Sequence, residues 1–366
     1  MYDYLLVGSG LFSCTFARKC IDNNLKCLIL EKRTHPFGNC YTKNIDNINV
    51  HMYGPHVFHT NNFEIWNFVN RFAKFNRYIN KPKIKFNDTI YSFPINLMTL
   101  HQIWGVTTPE EAAKRIEKER YNIEKPQNLE EWALSQIGEE LYYKFVYGYT
   151  KKQWNTEPKN LPSFIIQRLP IRLNFDDNYF FDQYQGIPIG GYSDMMQNMI
   201  EDTEIILETD YFNRKDYWDK KAKSIIYTGP IDQYFGYCHG KLDYRSLKFD
   251  HKKLNISDFQ GNAIINYTDY KIPYTRIIEH KHFEFGNQNN TVISYEYPVD
   301  FTGLNLPYYP INNPQNNSKY NLYKKMSSKI NNILFGGRLA EYKYYDMHQI
   351  IGSALSKFQK IHHNVI

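Results

Sequence analysis

The sequence predicts an α/β protein, a Rossmann-type dinucleotide-binding domain carrying an inserted helical domain and an antiparallel β-sheet domain. Three observations carry that prediction. The chain opens with a strand, a glycine turn, a helix and a second strand; residues from about 62 to 150 read as helical; residues 262–297 alternate and hold few helix signals. At 366 residues the chain is longer than one core usually supports, so two or three domains are expected.

The first element is "YDYLLVGSGLFS", an apolar strand ending at Val7 and followed by Gly8-x-Gly10-x-x-Ser13. A helix then begins at Leu11 and Phe12, with Phe12, Phe16 and Cys20 on one face. The second strand, "KCLILE", ends at Glu31. Gly8 makes the tight turn, Gly10 lets the backbone approach a pyrophosphate at a helix N-terminus, and Glu31 is placed to bind a ribose hydroxyl. Ser13 stands where Gly or Ala is usual, which loosens the packing argument. The full set favours a dinucleotide site over an ordinary βαβ turn. "EKRTHPFGNCYT" adds Lys32, Arg33 and a Gly38-Asn39 turn, and resembles the second turn of FAD-binding proteins. "HMYGPHVFHTNN" supplies His51, His56 and His59 without an accompanying ligand set, so it does not read as a metal site. Two readings stay open for these histidines, a partly buried loop or a role beside a flavin ring.

"NFEIWNFVNRF" and "NLEEWALSQIGEELYYKFVYGYTKKQW" read as helices, the latter opening with Asn128 and Glu131 at capping-box spacing and divided at Gly138. "FNDTIYSFPIN" between them has strand or hairpin character. "KFVYGYTKKQW" sets Phe145, Tyr149 and Trp154 close to Lys151 and Lys152, which suits a stacked base with phosphates beyond it. A helix end anchored by core aromatics is the competing reading. The next stretch carries Arg168, Arg172 and Tyr179, with Pro162, Pro170 and Pro188 blocking long helices. Arginines there can fork onto a diphosphate or pair with Asp176 or Asp177.

"GIPIGGYSDMMQNMI" is a Gly-rich turn feeding a short helix, and "TEIILETD" and "AKSIIYTGP" are strands returning to the nucleotide domain. The β-rich 262–297 stretch supplies Asn266 and Arg276. "INNPQNNSKYN", residues 311–321, reads as a surface connection. In "FGGRLAEYKYYDMHQ", Asp346 and Gln349 have capping-box spacing, and Met347, Ile350, Ile351, Ala354, Leu355 and Phe358 form the stripe of a last helix.

A net charge of +6 and a pI near 8.7, with lysines and arginines scattered, argue against a nucleic-acid partner and suit an anionic small molecule equally well. Five cysteines without CxxC spacing argue against a disulfide framework or a zinc site and fit a reducing compartment. No signal-peptide pattern and no long apolar stretch is present, so the expectation is a cytoplasmic protein with no membrane span.

Taken together, "YDYLLVGSGLF", "YGPHVFHT", "NLEEWALSQIGEELY", "GYTKKQW", "YQGIPIGGY", "YTGPIDQYF", "YRSLKF", "PYTRIIEHKHF", "PYYP" and "FGGRLAEYKYYDMHQ" closely resemble the bacterial UDP-galactopyranose mutases, from Met1 to about residue 358. The resemblance implies a discontinuous Rossmann-type FAD-binding domain over 1–80, 188–240 and 320–366. It further implies a helical domain over 95–150 and a substrate domain over 81–94, 151–187 and 241–319, built on a six-stranded antiparallel sheet. The implied activity interconverts UDP-galactopyranose and UDP-galactofuranose for cell-surface glycans. Reduced flavin acts as the nucleophile through N5, UDP leaves, and the sugar ring opens and recloses before UDP returns. An external reductant and a homodimer are implied partners.

By the same resemblance Arg168, on a loop closing over the substrate, and Arg276 hold the diphosphate, with Tyr179, Tyr309 and Tyr344. Phe145 and Tyr149 flank the uracil, Thr150 neighbours them, Trp154 lies near the sugar, and Asn266 lies near the nucleoside. His56 and Arg338 lie beside the isoalloxazine. Gly8, Gly10, Leu11, Phe12, Glu31, Lys32, Asn39, Gly229 and Met347 contact the cofactor, and Asp346 faces both substrate and cofactor. No serine, cysteine or histidine nucleophile is expected, because the cofactor performs that step. Two departures stand out. Phe37 occupies a position where the family has glycine, and Pro55 one where alanine is common. The alternatives are an amine-oxidase-like flavin oxidoreductase, which would consume reductant or oxygen stoichiometrically, and a non-catalytic nucleotide-sugar or FAD-binding protein.

Overall fold

The computed structural model describes residues 1–167 and 170–363. Among these residues, a five-stranded and a seven-stranded sheet set the frame. The five-stranded sheet is parallel throughout, in the order Ile333–Phe335, Ala222–Tyr227, Tyr2–Val7, Cys27–Leu30, Glu204–Ile206. Its central strands are apolar on both faces because both faces are covered. Leu6 and Ile29 pack under the helices Leu11–Asp22 and Met347–His363, where Phe16 meets Phe358 edge-on at 5.2 Å. Leu5, Leu28 and Leu30 face a second core with Tyr211, Trp218, Tyr227 and Tyr323. The chain therefore leaves this sheet and returns to it, as the "TEIILETD" and "AKSIIYTGP" strands predict.

The seven-stranded sheet runs Tyr309–Pro310, Tyr244–Leu254, Thr291–Asp300, Arg276–Glu279, Ile264–Tyr267, Lys83–Phe86, Thr89–Ser92. It corrects the expected six-stranded antiparallel sheet in two respects. It has seven strands, and Ile264–Tyr267 pairs with Lys83–Phe86 in parallel. The parallel pair arises because the hairpin formed by 83–92 enters from far upstream and docks beside Asn266.

The insertion contains the helices Leu97–Trp104, Pro109–Glu119, Leu129–Leu141 and Gly148–Trp154. Asn128 caps its helix by accepting from the Glu131 N–H, while the Glu131 carboxylate accepts from Gln127 rather than closing a reciprocal box. Gly138, at φ 74° and ψ 178°, breaks the helical path as expected, and a π-helical turn, Tyr142–Tyr147, leads into Gly148–Trp154. The Asn-rich 311–321 stretch is not a plain connection. Asn313 caps the helix Pro314–Ser327, Pro314 sits in its first turn, and Asn316 is fully buried. No described helix is long and apolar enough to cross a membrane.

Candidate active site

A cavity of about 600 Å³ opens where the seven-stranded sheet, the Gly148–Trp154 helix and the start of the last helix meet. Phe145, Tyr149, Thr150, Trp154, Tyr179, Asn266, Arg276, Tyr309 and Tyr344 line it together with Asn39, His56, Arg338, Asp346 and Met347. Arg168 lies outside the described residues.

Arg276 is the cation in this wall. Strand register sets it opposite Glu296, and its Nε lies 3.0 Å from Glu296 Oε1. Its Nη2 donates to the Tyr149 hydroxyl at 2.8 Å. Glu296 is buried and also accepts from Thr275 Oγ1 at 3.0 Å. Burial opposes the Arg276 charge, but Glu296 and the surrounding tyrosines outweigh it and hold the guanidinium above its usual range. Burial raises Tyr149 and Tyr309, and Tyr344, 5.4 Å from Tyr309 between ring centroids, raises Tyr309 further. Both hydroxyls therefore keep their protons and can donate to an anion. Asn266 is anchored through Nδ2 to the Lys83 carbonyl at 3.3 Å, Tyr179 through its N–H to the Asn80 carbonyl, and Phe145 lies edge-on to Tyr91.

Also lining the cavity, His56 donates from Nδ1 to the Gly54 carbonyl at 2.8 Å, which leaves Nε2 as the acceptor. Burial, and then Arg338, push His56 down to about 4, so the ring is neutral. Arg338 is held by two bonds to the Tyr345 carbonyl, at 3.0 and 2.7 Å, with its guanidinium 4.9 Å from the Tyr344 ring centroid. The last helix starts beside it, and the Asp346 N–H donates to Gln349 Oε1 at 2.9 Å. His59, Asp346 and His348 each present a ligand-capable atom within 4.8 Å of the others, and His59 Nδ1 bonds Asp182 at 2.8 Å. The sequence reading found no carboxylate near these histidines because Asp182 and Asp346 arrive from distant segments.

The glycine turn is closed on one side and open on the other. An added Cβ on Gly8 (φ +95°) would lie 2.4 Å from Thr228 Oγ1, whereas one on Gly10 would meet open space. Gly10 caps the Leu11–Asp22 helix without a side-chain bond, so the first-turn N–H groups face that space. Glu31 is fixed by the Ser9 N–H and Oγ at 3.0 and 2.6 Å and by the Arg33 N–H at 3.0 Å. Ser13 Oγ and Arg33 Nη1 are buried without a hydrogen-bond partner among the described residues. An open helix end, an anchored acid and two orphaned donors fit a bound dinucleotide. Phe12 packs under the later turn, its ring within 2.2 Å of where a Gly336 Cβ would be. Gly229 is equally tight, with the Tyr227 hydroxyl 2.6 Å from an added Cβ.

The remaining charged and departing residues take the following places. Lys32 is exposed, and its neighbour Arg33 turns inward to Asn39 Oδ1 at 3.0 Å and over Tyr53. Lys151 pairs with Glu157, and Lys152 turns into backbone carbonyls, so neither lends its charge to the aromatic face. Arg172 follows its structural alternative, bonding the Asp176 and Asn178 carbonyls and the Asp176 carboxylate. Phe37 adopts a left-handed φ of 76° and buries its ring in the core, while Pro55 lines the cavity. Glu296 was missed altogether. Its signal was present, as an acid at an inward position of the alternating strand "TVISYEYP".

The comparisons with known proteins converge on one family. The GLF model, described as UDP-galactopyranose mutase, matches residues 144–344, and an NAD(P)-binding Rossmann-like domain matches 6–72. The chain is 39% identical over 365 residues to a dTDP-fucopyranose mutase of Escherichia coli, covering 97% of each chain. It is 39% identical over 362 residues to a probable UDP-galactopyranose mutase of Klebsiella pneumoniae, covering 96% of this chain and 93% of the relative. The fold matches a crystal structure of reduced UDP-galactopyranose mutase with a TM-score of 0.77 at 14% identity, over 100% of this chain and 94% of that one. A putative protoporphyrinogen oxidase from Exiguobacterium sp. 255-15 matches with a TM-score of 0.66 at 12% identity over 99% of each chain; this shows the shared fold alone. A family model over more than half of the sequence, near-full-length relatives and the assembled cleft agree: the chain belongs to the UDP-galactopyranose mutase family, a family of isomerases whose Rossmann-type fold implies a flavin cofactor.

Proposed function

We propose that this protein interconverts UDP-galactopyranose and UDP-galactofuranose with FAD bound in its reduced state. The observation that carries the reading is the Arg276–Tyr149–Glu296 group lining one cavity together with His56, Arg338 and Asp346. The Gly8–Gly10 turn, Glu31, Arg33 and the Gly336–Arg338 turn would hold reduced FAD, which would supply the nucleophile for the displacement of UDP. The chain's own task is to keep the departing diphosphate in place until it returns. Arg276 contributes a fixed positive charge, and the protonated hydroxyls of Tyr149 and Tyr309 contribute donors that strengthen as charge develops on the leaving oxygen. Tyr179, Tyr344 and Arg168 join them in this reading, while Phe145, Thr150, Trp154 and Asn266 receive the nucleoside and sugar. His56 is neutral, with Nε2 as an acceptor in the same cavity. The N-terminus of the Met347–His363 helix favours negative charge there.

The same reading includes the three-part domain division given above, a homodimer, a cytoplasmic location, an external reductant and galactofuranose for cell-surface glycans. The E. coli relative supports a second reading, a mutase acting on a deoxythymidine-diphosphate fucose, because its identity equals that of the Klebsiella relative. An oxidase reading rests only on fold likeness.

The test is to incubate the FAD-loaded protein with UDP-galactofuranose, and separately with dTDP-fucofuranose, each with and without dithionite. Products are then separated by anion-exchange chromatography. UDP-galactopyranose forming only under reduction, or at least a hundredfold faster, is the expected result. Turnover confined to the dTDP-sugar establishes the second reading. No turnover of either by fully reduced enzyme removes both.

A further inference from the structure

We propose that Lys152 is a positioning residue for the nucleotide side of the cleft, acting through the loop over residues 268–275. The inference rests on the reading that Arg276 binds the diphosphate of the nucleotide and Asn266 its nucleoside.

Lys152 is buried, although lysine seldom is without a partner. Its Nζ lies 2.7 Å from the Tyr267 carbonyl, 2.9 Å from Asp269, 3.0 Å from Ile272 and 2.9 Å from Tyr274. All four acceptors belong to one short segment, whose ends are the two site residues. Asn266 precedes it on one strand, and Arg276 follows it on the next. An ammonium has three protons and a compact charge, so it can gather carbonyls that would otherwise repel one another. The loop is drawn closed around it, and the Tyr267 N–H donates to the Thr275 carbonyl at the loop's base.

The other end of the tether is the helix that carries Tyr149 and Thr150. Lys152 lies three residues beyond Tyr149, on the same side of that helix. Gly148 lets the helix backbone touch the loop, since an added Cβ would fall 2.2 Å from the Thr268 carbonyl oxygen. Thr268 Oγ1 donates to the Lys144 carbonyl at 2.6 Å. Arg276 then bonds Tyr149 across the junction. Lys152 thus sets the spacing between the aromatic helix and the cationic strand, a spacing that a nucleotide must match on both sides.

Lys281 provides an internal control. It is also buried, with Nζ bonded to the Ser257 and Gln288 carbonyls at 2.6 Å each, but neither the 255–260 nor the 281–290 stretch that it joins carries a residue lining the cleft. UDP binding to the FAD-loaded wild type, Lys152→Met and Lys281→Met proteins is measured by titration calorimetry, alongside FAD content and thermal midpoint. Both substitutions are expected to lower the midpoint. Only Lys152→Met is expected to raise the UDP Kd, by tenfold or more with FAD retained, while Lys281→Met stays within twofold. Equal effects on Kd, or none in Lys152→Met, overturn the proposal. Absence of UDP binding by the wild type overturns the reading of the cleft, and the proposal with it. Should Lys152→Met not accumulate folded, amide hydrogen exchange of the wild type decides. UDP is expected to slow exchange across 267–276 and leave 281–288 unchanged, and no slowing across 267–276 overturns the proposal.

Discussion

Arg276 faces the cavity with its charge intact because Glu296 stands directly across the strand pair, and the two define the electrostatics of that wall. Neither residue would be tolerable alone in so buried a place, since an unpaired buried charge is costly. Glu296 has a second partner in Thr275, which fixes the carboxylate independently of the arginine. Glu296→Gln keeps that hydrogen bond and removes the charge. We expect it to lower the unfolding free energy by about 1–3 kcal/mol, the usual cost of weakening a charge-assisted buried bond. The urea midpoint at neutral pH reads this directly, and an unchanged midpoint means the pair contributes nothing. Phe37 shows the opposite balance. Its left-handed backbone costs about 1–2 kcal/mol, but burying an aromatic ring returns more, so a residue placed at a glycine position need not block the site.

At the scale of elements, the helical insertion depends on one glycine. Gly138 holds a backbone conformation open in practice only to glycine, and an added Cβ would sit 2.4 Å from the Glu119 carbonyl oxygen and 2.7 Å from its carbon. The kink it allows brings the π-helical turn Tyr142–Tyr147 and then the Gly148–Trp154 helix to the cleft. Gly138→Ala is therefore expected to cost about 3 kcal/mol or more and to weaken UDP binding as Phe145 and Tyr149 shift. A variant with wild-type melting temperature and affinity would show that the kink is not required.

Across the whole molecule, burial of histidine sets the response to acid. Burial pushes His280 down to about 3 and His51 well below its usual range, with each neighbouring histidine adding to the effect. Folded, the His280 ring stays neutral down to about pH 3 and His51 is held neutral well below its usual range, while the unfolded chain takes up protons there, so stability falls as pH falls through that window. His282, raised mainly by its bond to Glu279, works in the opposite direction, but it is less buried. Glu279, against its own burial, is held down to about 2 by His282, Thr291 and two backbone N–H groups, and adds a further loss once pH drops below its unfolded value. Denaturant unfolding at pH 5 should show a loss of about 2 kcal/mol per buried histidine relative to pH 7. Equal midpoints at the two pH values exclude this account.

The sequence by itself determined the features that rest on local backbone chemistry. The Gly8–Gly10 turn, the acid at Glu31, the cap at Asn128, the break at Gly138 and the apolar stripe of the last helix are each written within a few residues, so they could be read directly. The resemblance then supplied Arg276, Tyr149 and Tyr309 as a set. Tertiary structure alone decided which charges meet. Glu296 joins Arg276 only through strand register, and Asp182 and Asp346 reach His59 only through folding. Lys152 turns away from the aromatic face because four carbonyls of a distant loop hold its ammonium better than an open helix surface would. Asn313 and Pro314 carried a helix-start signal that the polar composition hid, and packing around buried Asn316 made it a helix. Propensity and turn chemistry act over a few residues and are legible one segment at a time. A buried charge takes its partner from whatever the fold brings within about 3–4 Å, and no single segment records that.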